Sequence, residues 1–126
     1  MLKGKRIIVT GSARGMGEAT LNAYVQAGAD VVGMDVTDDA GRSISEKANK
    51  TGPGKCSYIH VDVSDKSSVD DSFSKAVEIL GGLDVLAHPA AIQRASDASN
   101  VSVEDWDLMF SVNVKGTMLT NQIAYK

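Results

Sequence analysis

Residues 6 to 17 read Arg-Ile-Ile-Val-Thr-Gly-Ser-Ala-Arg-Gly-Met-Gly, an apolar run that enters a glycine-rich turn and leaves it as a helix. Ile7, Ile8 and Val9 are the β-branched sequence of a strand buried on both faces, the mark of a parallel sheet covered by helices. Met16, Ala19, Ala23 and Ala27 follow at helical spacing, so the turn joins a strand to a helix. Gly11 lets the chain reverse sharply, Gly15 lets backbone approach a pyrophosphate, and Gly17 lets the helix lie close on the strand. The N–H groups of the helix start, with the positive end of the macrodipole behind them, suit a phosphate.

The spacing is Gly-x-x-x-Gly-x-Gly, distinct from the Gly-x-Gly-x-x-Gly of the general dinucleotide fingerprint. Preceded by Thr10, it resembles the turn of the short-chain dehydrogenase/reductase family, whose members transfer hydride between a nicotinamide cofactor and an alcohol or carbonyl. The resemblance implies that Gly11, Ser12, Arg14, Gly15, Met16 and Gly17 bind the cofactor. A structural glycine-rich turn is the competing reading, and residues downstream discriminate between the two.

A second apolar run, Val31-Val32-Gly33-Met34, ends at Asp35, where a carboxylate can accept hydrogen bonds from the adenosine ribose. A carboxylate there repels a 2′-phosphate, so Asp35 argues for NAD over NADP. Arg14 is the countersignal, because in NADP-using relatives such a residue pairs with that phosphate. Asp35 weighs more, since it would lie beside the 2′-oxygen itself. A third strand leads into Asp62-Val63, similar to the Asp-Val pair with which the family holds the adenine edge. Ser64 reads as the N-cap of the helix from Ser67 to Leu80. A fourth strand, Leu83 to Ala87, meets His88-Pro89-Ala90-Ala91 where the family usually has Asn-Asn-Ala-Gly, so only Ala90 matches. Pro89 removes a backbone donor, and the bonding at this strand end must differ from the family's. His88 reads as a structural histidine rather than a proton relay, and no cluster has metal-ligand spacing.

Ser102, with a carboxylate three residues on, resembles a capping box opening a long helix whose Trp106, Met109, Phe110, Val114, Met118 and Leu119 give a wide apolar surface. Within it, Val112-Asn113-Val114-Lys115-Gly116 looks like the family's Val-Asn-x-x-Gly segment, which implies that Asn113 belongs to the catalytic Asn-Ser-Tyr-Lys set. In relatives that asparagine sits at a helix kink and holds a water. Asn and Gly in mid-helix are both unfavourable, Gly by about 1 kcal/mol against Ala, which a functional kink would explain.

The serine and the Tyr-x-x-x-Lys pair of the family do not occur in these 126 residues. Tyr125-Lys126 are adjacent, and neighbours on a helix point about 100° apart, so Tyr125 is not assigned a catalytic role. The pattern stops at Lys126 without a cap, which reads as a fragment of a chain about twice this long. Strands near 6–10, 30–35, 56–62 and 83–87 alternate with helices near 16–27, 39–50, 67–80 and 103–124. This predicts an α/β fold, the N-terminal part of a doubly wound, Rossmann-like parallel sheet of order 3-2-1-4, in one dinucleotide-binding domain over 1–126. A net charge of −3 gives no basic footprint for nucleic acid, a lone Cys56 makes no internal disulfide, and no run is long enough to span a membrane. A cytoplasmic location is the expectation. The functional expectation is an NAD-dependent oxidoreductase interconverting a secondary alcohol and a ketone in the parent chain, as a homodimer or homotetramer. The alternative is a nucleotide-binding or interaction module that catalyses nothing.

Overall fold

The computed structural model describes residues 1–126. Strands β1 (Arg6–Thr10), β2 (Asp30–Asp35), β3 (Lys55–His60) and β4 (Val85–Ala87) form one parallel sheet in the order β3-β2-β1-β4. Helices α1 (Gly15–Gln26), α2 (Asp38–Thr51) and α3 (Lys66–Leu80) are the crossovers, followed by α4 (Val103–Met109), a π-helical segment (Phe110–Lys115) and α5 (Gly116–Tyr125). The order reverses between β1 and β4, where a doubly wound sheet opens a crevice at its carboxyl edge.

Alternation along the strands builds a core on each face. Ile7, Val9 and Val31 point to α1 and α2 and pack with Leu21, Val25 and Ala48. Ile8, Val32 and Met34 point the other way, against Val69, Phe73 and Ala76 of α3 and Leu119 of α5. Each large aliphatic side chain so buried contributes about 1.5–3 kcal/mol. Gly116 belongs to this packing. A Cβ there would stand 2.8 Å from Val63 Cγ2, so the glycine lets the helix lie directly on the loop after β3.

Three expected boundaries move, each for a local reason. β4 begins at Val85, since the Asp84 carboxylate is taken up by Arg6: Oδ2 accepts from the Arg6 backbone N–H (2.9 Å) and Nε (3.0 Å), and Oδ1 from a terminal guanidinium nitrogen (3.0 Å). Helix α3 is capped by Asp65, whose side chain accepts from Ser67 N–H, while Ser64 turns back to donate its hydroxyl to Asp62 Oδ1 (2.6 Å). The long final helix is interrupted by the π-helical segment, which carries Asn113. Ser102 does cap α4, accepting from Asp105 N–H at 3.1 Å, but the Asp105 carboxylate faces Arg94 (3.9 Å) instead of closing the box.

The Arg6–Asp84 clamp carries a prediction. Its hydrogen bonds to the Arg6 side chain, and next to the Arg6 backbone, hold the Asp84 carboxyl down to about 2. A folded value below the unfolded one gives stability that is present above about pH 4 and lost as pH falls towards about 2. Acid unfolding followed by circular dichroism is expected to show that loss, and Asp84→Asn to flatten it. An identical acid limb in the variant would mean that the clamp is energetically idle.

Candidate functional site

The carboxyl edge of the sheet holds a cleft of about 320 Å³. Gly11, Arg14, Gly15, Met16, Gly17, Asp35, Asp62, Val63 and Ala90 all line it, so the structure brings together nine of the residues singled out in the sequence. Val36, Thr37, Val61, Pro89, Ala91, Ile92 and Val112 complete the walls.

The glycines of the turn divide its work. Gly15 has φ +55° and open space where a Cβ would stand, so its backbone is bare towards the cleft. Gly17 is different: a Cβ there would run into the Gly11 carbonyl oxygen. Gly11, at φ +65°, would place a Cβ 2.8 Å from Ala90 Cα, which makes it the contact between the turn and the segment after β4. Ser12 does not reach the cleft. It is fully buried, with its hydroxyl against Gly33, and no partner for that hydroxyl is present.

Asp35 is fixed by backbone donors from two directions. Oδ2 accepts from Ala13 N–H (3.0 Å), and Oδ1 from Val36 N–H (2.7 Å) and Thr37 N–H (3.1 Å). The carboxylate thereby ties the glycine turn to the end of β2. A carboxylate has about four lone-pair sites, so an acceptor position on Oδ2 remains for a ligand hydroxyl. Behind this wall, Tyr58 directs its hydroxyl at the Asp35 carbonyl oxygen (2.6 Å) and Asp38 Oδ1 (2.7 Å), and His60 Nδ1 lies 2.8 Å from the same Asp38 oxygen. Burial first, and then the Asp38 contact, push the Tyr58 phenol above its usual range. Tyr58 fits because Gly41 of α2 leaves room for its ring, a pairing across sequence that no local motif announces.

Asn113 lies outside the cleft lining and acts on it through Ile92. Its Oδ1 accepts from Ile92 N–H (2.8 Å) and its Nδ2 donates to Ile92 C=O (2.7 Å), so both halves of the amide are engaged with one residue of the wall. The segment that carries Asn113 is π-helical instead of regular α-helix, and from it the asparagine amide engages both backbone groups of Ile92. Asp62 Oδ1 accepts from Ser64 N–H (3.0 Å) as well as the Ser64 hydroxyl, which fixes the loop that carries Val63. His88 is drawn inward: Nδ1 lies 2.7 Å from Thr10 Oγ1 and 3.2 Å from Thr120 Oγ1, and burial pushes the imidazole below its ordinary value. No group of His, Cys, Asp and Glu side chains is arranged to hold a metal ion, and no helix is long and apolar enough to cross a membrane.

The profile of the short chain dehydrogenase family matches residues 5–126. The chain belongs to the short-chain dehydrogenase/reductase family. Among curated relatives, a sorbitol dehydrogenase of Cereibacter sphaeroides is 36% identical over 121 residues, covering 96% of this chain and 46% of that protein. A 3-oxoacyl-(acyl-carrier-protein) reductase of Thermotoga maritima is 33% identical, covering 98% and 50%. A short chain dehydrogenase from Mycobacterium smegmatis superposes with a TM-score of 0.93 at 29% identity, covering 98% of this chain and 52% of that one. A short chain dehydrogenase from Burkholderia cenocepacia, solved in complex with NADP, superposes at 0.92 with 29% identity, covering 98% of this chain and 51% of its own. The chain spans about half the length of the curated relatives it matches. The β3-β2-β1-β4 sheet and the cleft at its carboxyl edge lie within the residues that the family profile matches.

Proposed function

We propose that this chain supplies the NAD-binding half of an oxidoreductase that interconverts a secondary alcohol and a ketone. The observation that carries the reading is the cleft itself, bare backbone at Gly15 on one side and the fixed Asp35 carboxylate on the other. A dinucleotide fits that arrangement. The N–H groups from Gly15 to Gly17 would hold its pyrophosphate at the start of α1, Asp35 would accept from the adenosine ribose, and Asp62 and Val63 would flank the adenine. Arg14 and Met16 would border the phosphates, Gly11 and Ala90 would bring the turn and the β4 loop together, and Asn113 would keep Ile92 in place. When bound, the nicotinamide accepts or delivers the hydride. This chain's residues hold the cofactor in a fixed pose, and none of those lining the cleft is placed to move the substrate's proton.

Asp35 supports NAD over NADP, because a 2′-phosphate would bring two negative charges against a carboxylate that three backbone N–H groups hold in place. Arg14 on the same cleft is the one cation that offsets this. Fluorescence titration is expected to give a Kd for NADH about tenfold or more below that for NADPH, since one unfavourable contact of about 1.4 kcal/mol is a factor of ten. Asp35→Ala narrows or reverses that ratio. The variant also loses three acceptor contacts and some stability, so the ratio of the two affinities within one protein is the quantity to compare. Equal affinities in the unsubstituted protein would sink the NAD assignment.

A further inference from the structure

His88 is the least expected group near the cleft, and its surroundings are built for one protonation state. Thr10 Oγ1 stands 2.7 Å from Nδ1, and that hydroxyl has no other acceptor. Thr120 Oγ1 stands 3.2 Å from the same nitrogen and can also donate to the Thr117 carbonyl oxygen at 3.3 Å. Thr10 therefore donates to Nδ1, which assigns the ring proton to Nε2. Nε2 is buried with no partner. We infer that His88 is a neutral positioning residue that holds β1, at the mouth of the cofactor turn, beside α5 through a hydrogen bond from Thr10 and a weaker contact with Thr120, and that a proton placed on Nδ1 weakens this corner.

The corner matters because of what it joins. Thr10 precedes Gly11, and Gly11 rests on Ala90, two residues past His88. Thr120 lies on the helix that begins at Gly116, just past the segment in which Asn113 holds Ile92. One imidazole thus connects the turn, the β4 loop and the helix behind them. Protonation turns the Nδ1 acceptor into a donor, so the Thr10 hydroxyl must rotate, and it places a charge on a ring whose hydrogen-bond partners are two threonine hydroxyls and no carboxylate. Helix α5 carries no charged residue from Gly116 to Tyr125, and β4 none from Val85 to Ala87. Arg6 is the one charge on β1, and it is bound to Asp84 and Gly81 at the opposite end of the sheet. The cleft carboxylates Asp35 and Asp62 are occupied by backbone and Ser64 donors. A charge on this half-buried ring, without a carboxylate beside it, costs free energy that the neutral ring does not.

The sign follows from linkage. A histidine favoured neutral in the fold binds fewer protons folded than unfolded, so its effect is absent above the unfolded value of about 6.5 and stability falls as pH drops below it, at most tenfold in the folding constant per pH unit. The cofactor-coupled part of the inference rests on the proposed nicotinamide binding. The pin itself does not.

Two measurements on the 126-residue protein decide it. The chain has two histidines, so the ring-nitrogen signals of His88 are assigned by comparison with His60→Gln. Two-bond proton–nitrogen correlation spectra are expected to show His88 with its proton on Nε2 and a titration midpoint below about 6.5. Urea unfolding at intervals from pH 7 to 5 is expected to show the folding constant declining several-fold in the unsubstituted protein and by less than about twofold in His88→Asn, which places the family's usual residue there. NADH titration over the same range should lose affinity in parallel, and His88→Asn should remove the loss. A midpoint at or above about 6.5, or the same decline in His88→Asn, overturns the pin. Absence of NADH binding at any pH would count against the proposed function alone, while the ring titration and the unfolding series would still decide for or against the pin.

Discussion

Gly15→Val is expected to weaken NADH binding by at least about a hundredfold, a loss of about 2.7 kcal/mol, while the variant keeps its fold. The Cβ of a substituted residue 15 meets no protein atom within 4 Å, so the added side chain displaces nothing in the protein and stands in open space at a residue that lines the cleft. The backbone pays a smaller penalty, about 1–2 kcal/mol for a branched residue at φ +55°. Gly17→Ala, two positions on, should do the reverse. Its methyl group collides with the Gly11 carbonyl oxygen inside the protein, and about 3 kcal/mol of stability should go, with cofactor affinity lost only as the fold is lost. Thermal melts and NADH titrations of the two variants separate the roles. A folded Gly15→Val protein with unchanged affinity would show that the turn is structural and the cleft belongs to something else.

That division was partly legible in the sequence. Strand-turn-helix and the placement of Asp35 follow from local patterns: β-branched runs, glycine spacing and the alternation of strand with helix, all of which depend on neighbours in the chain, and the 3-2-1-4 order follows from the doubly wound class that they indicate. The fixing of Asp35 was not legible, because its donors come from Ala13 across the sheet edge as well as from Val36 and Thr37. Neither was Ser12. The family pattern puts it beside the cofactor, yet Gly33 opens a recess on β2 into which its side chain sinks. Gly116 looked like a kink former. It is equally a packing residue, a role visible only when Val63 is seen beneath it. Ser64 and Asp65 are both good caps, and which one caps α3 is decided by Asp62, which claims Ser64. In each case a local preference was read correctly as chemistry and assigned to the wrong or only one of its partners, since partners distant in sequence leave no mark in a short window.

Hydride-transfer assays on these 126 residues with NAD or NADH and simple alcohols or ketones are expected to show no turnover above buffer. Four positions past Tyr24 and Tyr58 stand Gly28 and Asp62, where the family's pair would need a lysine. Tyr58 is spent on Asp35 and Asp38, and its phenol is harder to ionise than usual, the opposite of what a proton donor to a carbonyl needs. The same protein should self-associate. Trp106, Phe110, Val114 and Met118 recur every four residues along the final helix, each about half exposed (53%, 49%, 56% and 51%), with the two rings in contact at 4.8 Å. In a regular α-helix residues four apart drift by about 40° per step, so such a row would spiral off the face. The π-helical segment from Phe110 to Lys115 takes more residues per turn and offsets part of that drift. Acidic Glu104, Asp105 and Asp107 lie at one end of this row and Lys115 and Lys126 towards the other, so two copies packed antiparallel would set unlike charges together. Sedimentation velocity should show a dimer or larger species, and Phe110→Glu should shift it to monomer without altering the sheet. Measurable turnover would reopen His88 and Tyr125 as acid–base groups, and a monodisperse monomer would show that the apolar row is not an interface between copies of this chain.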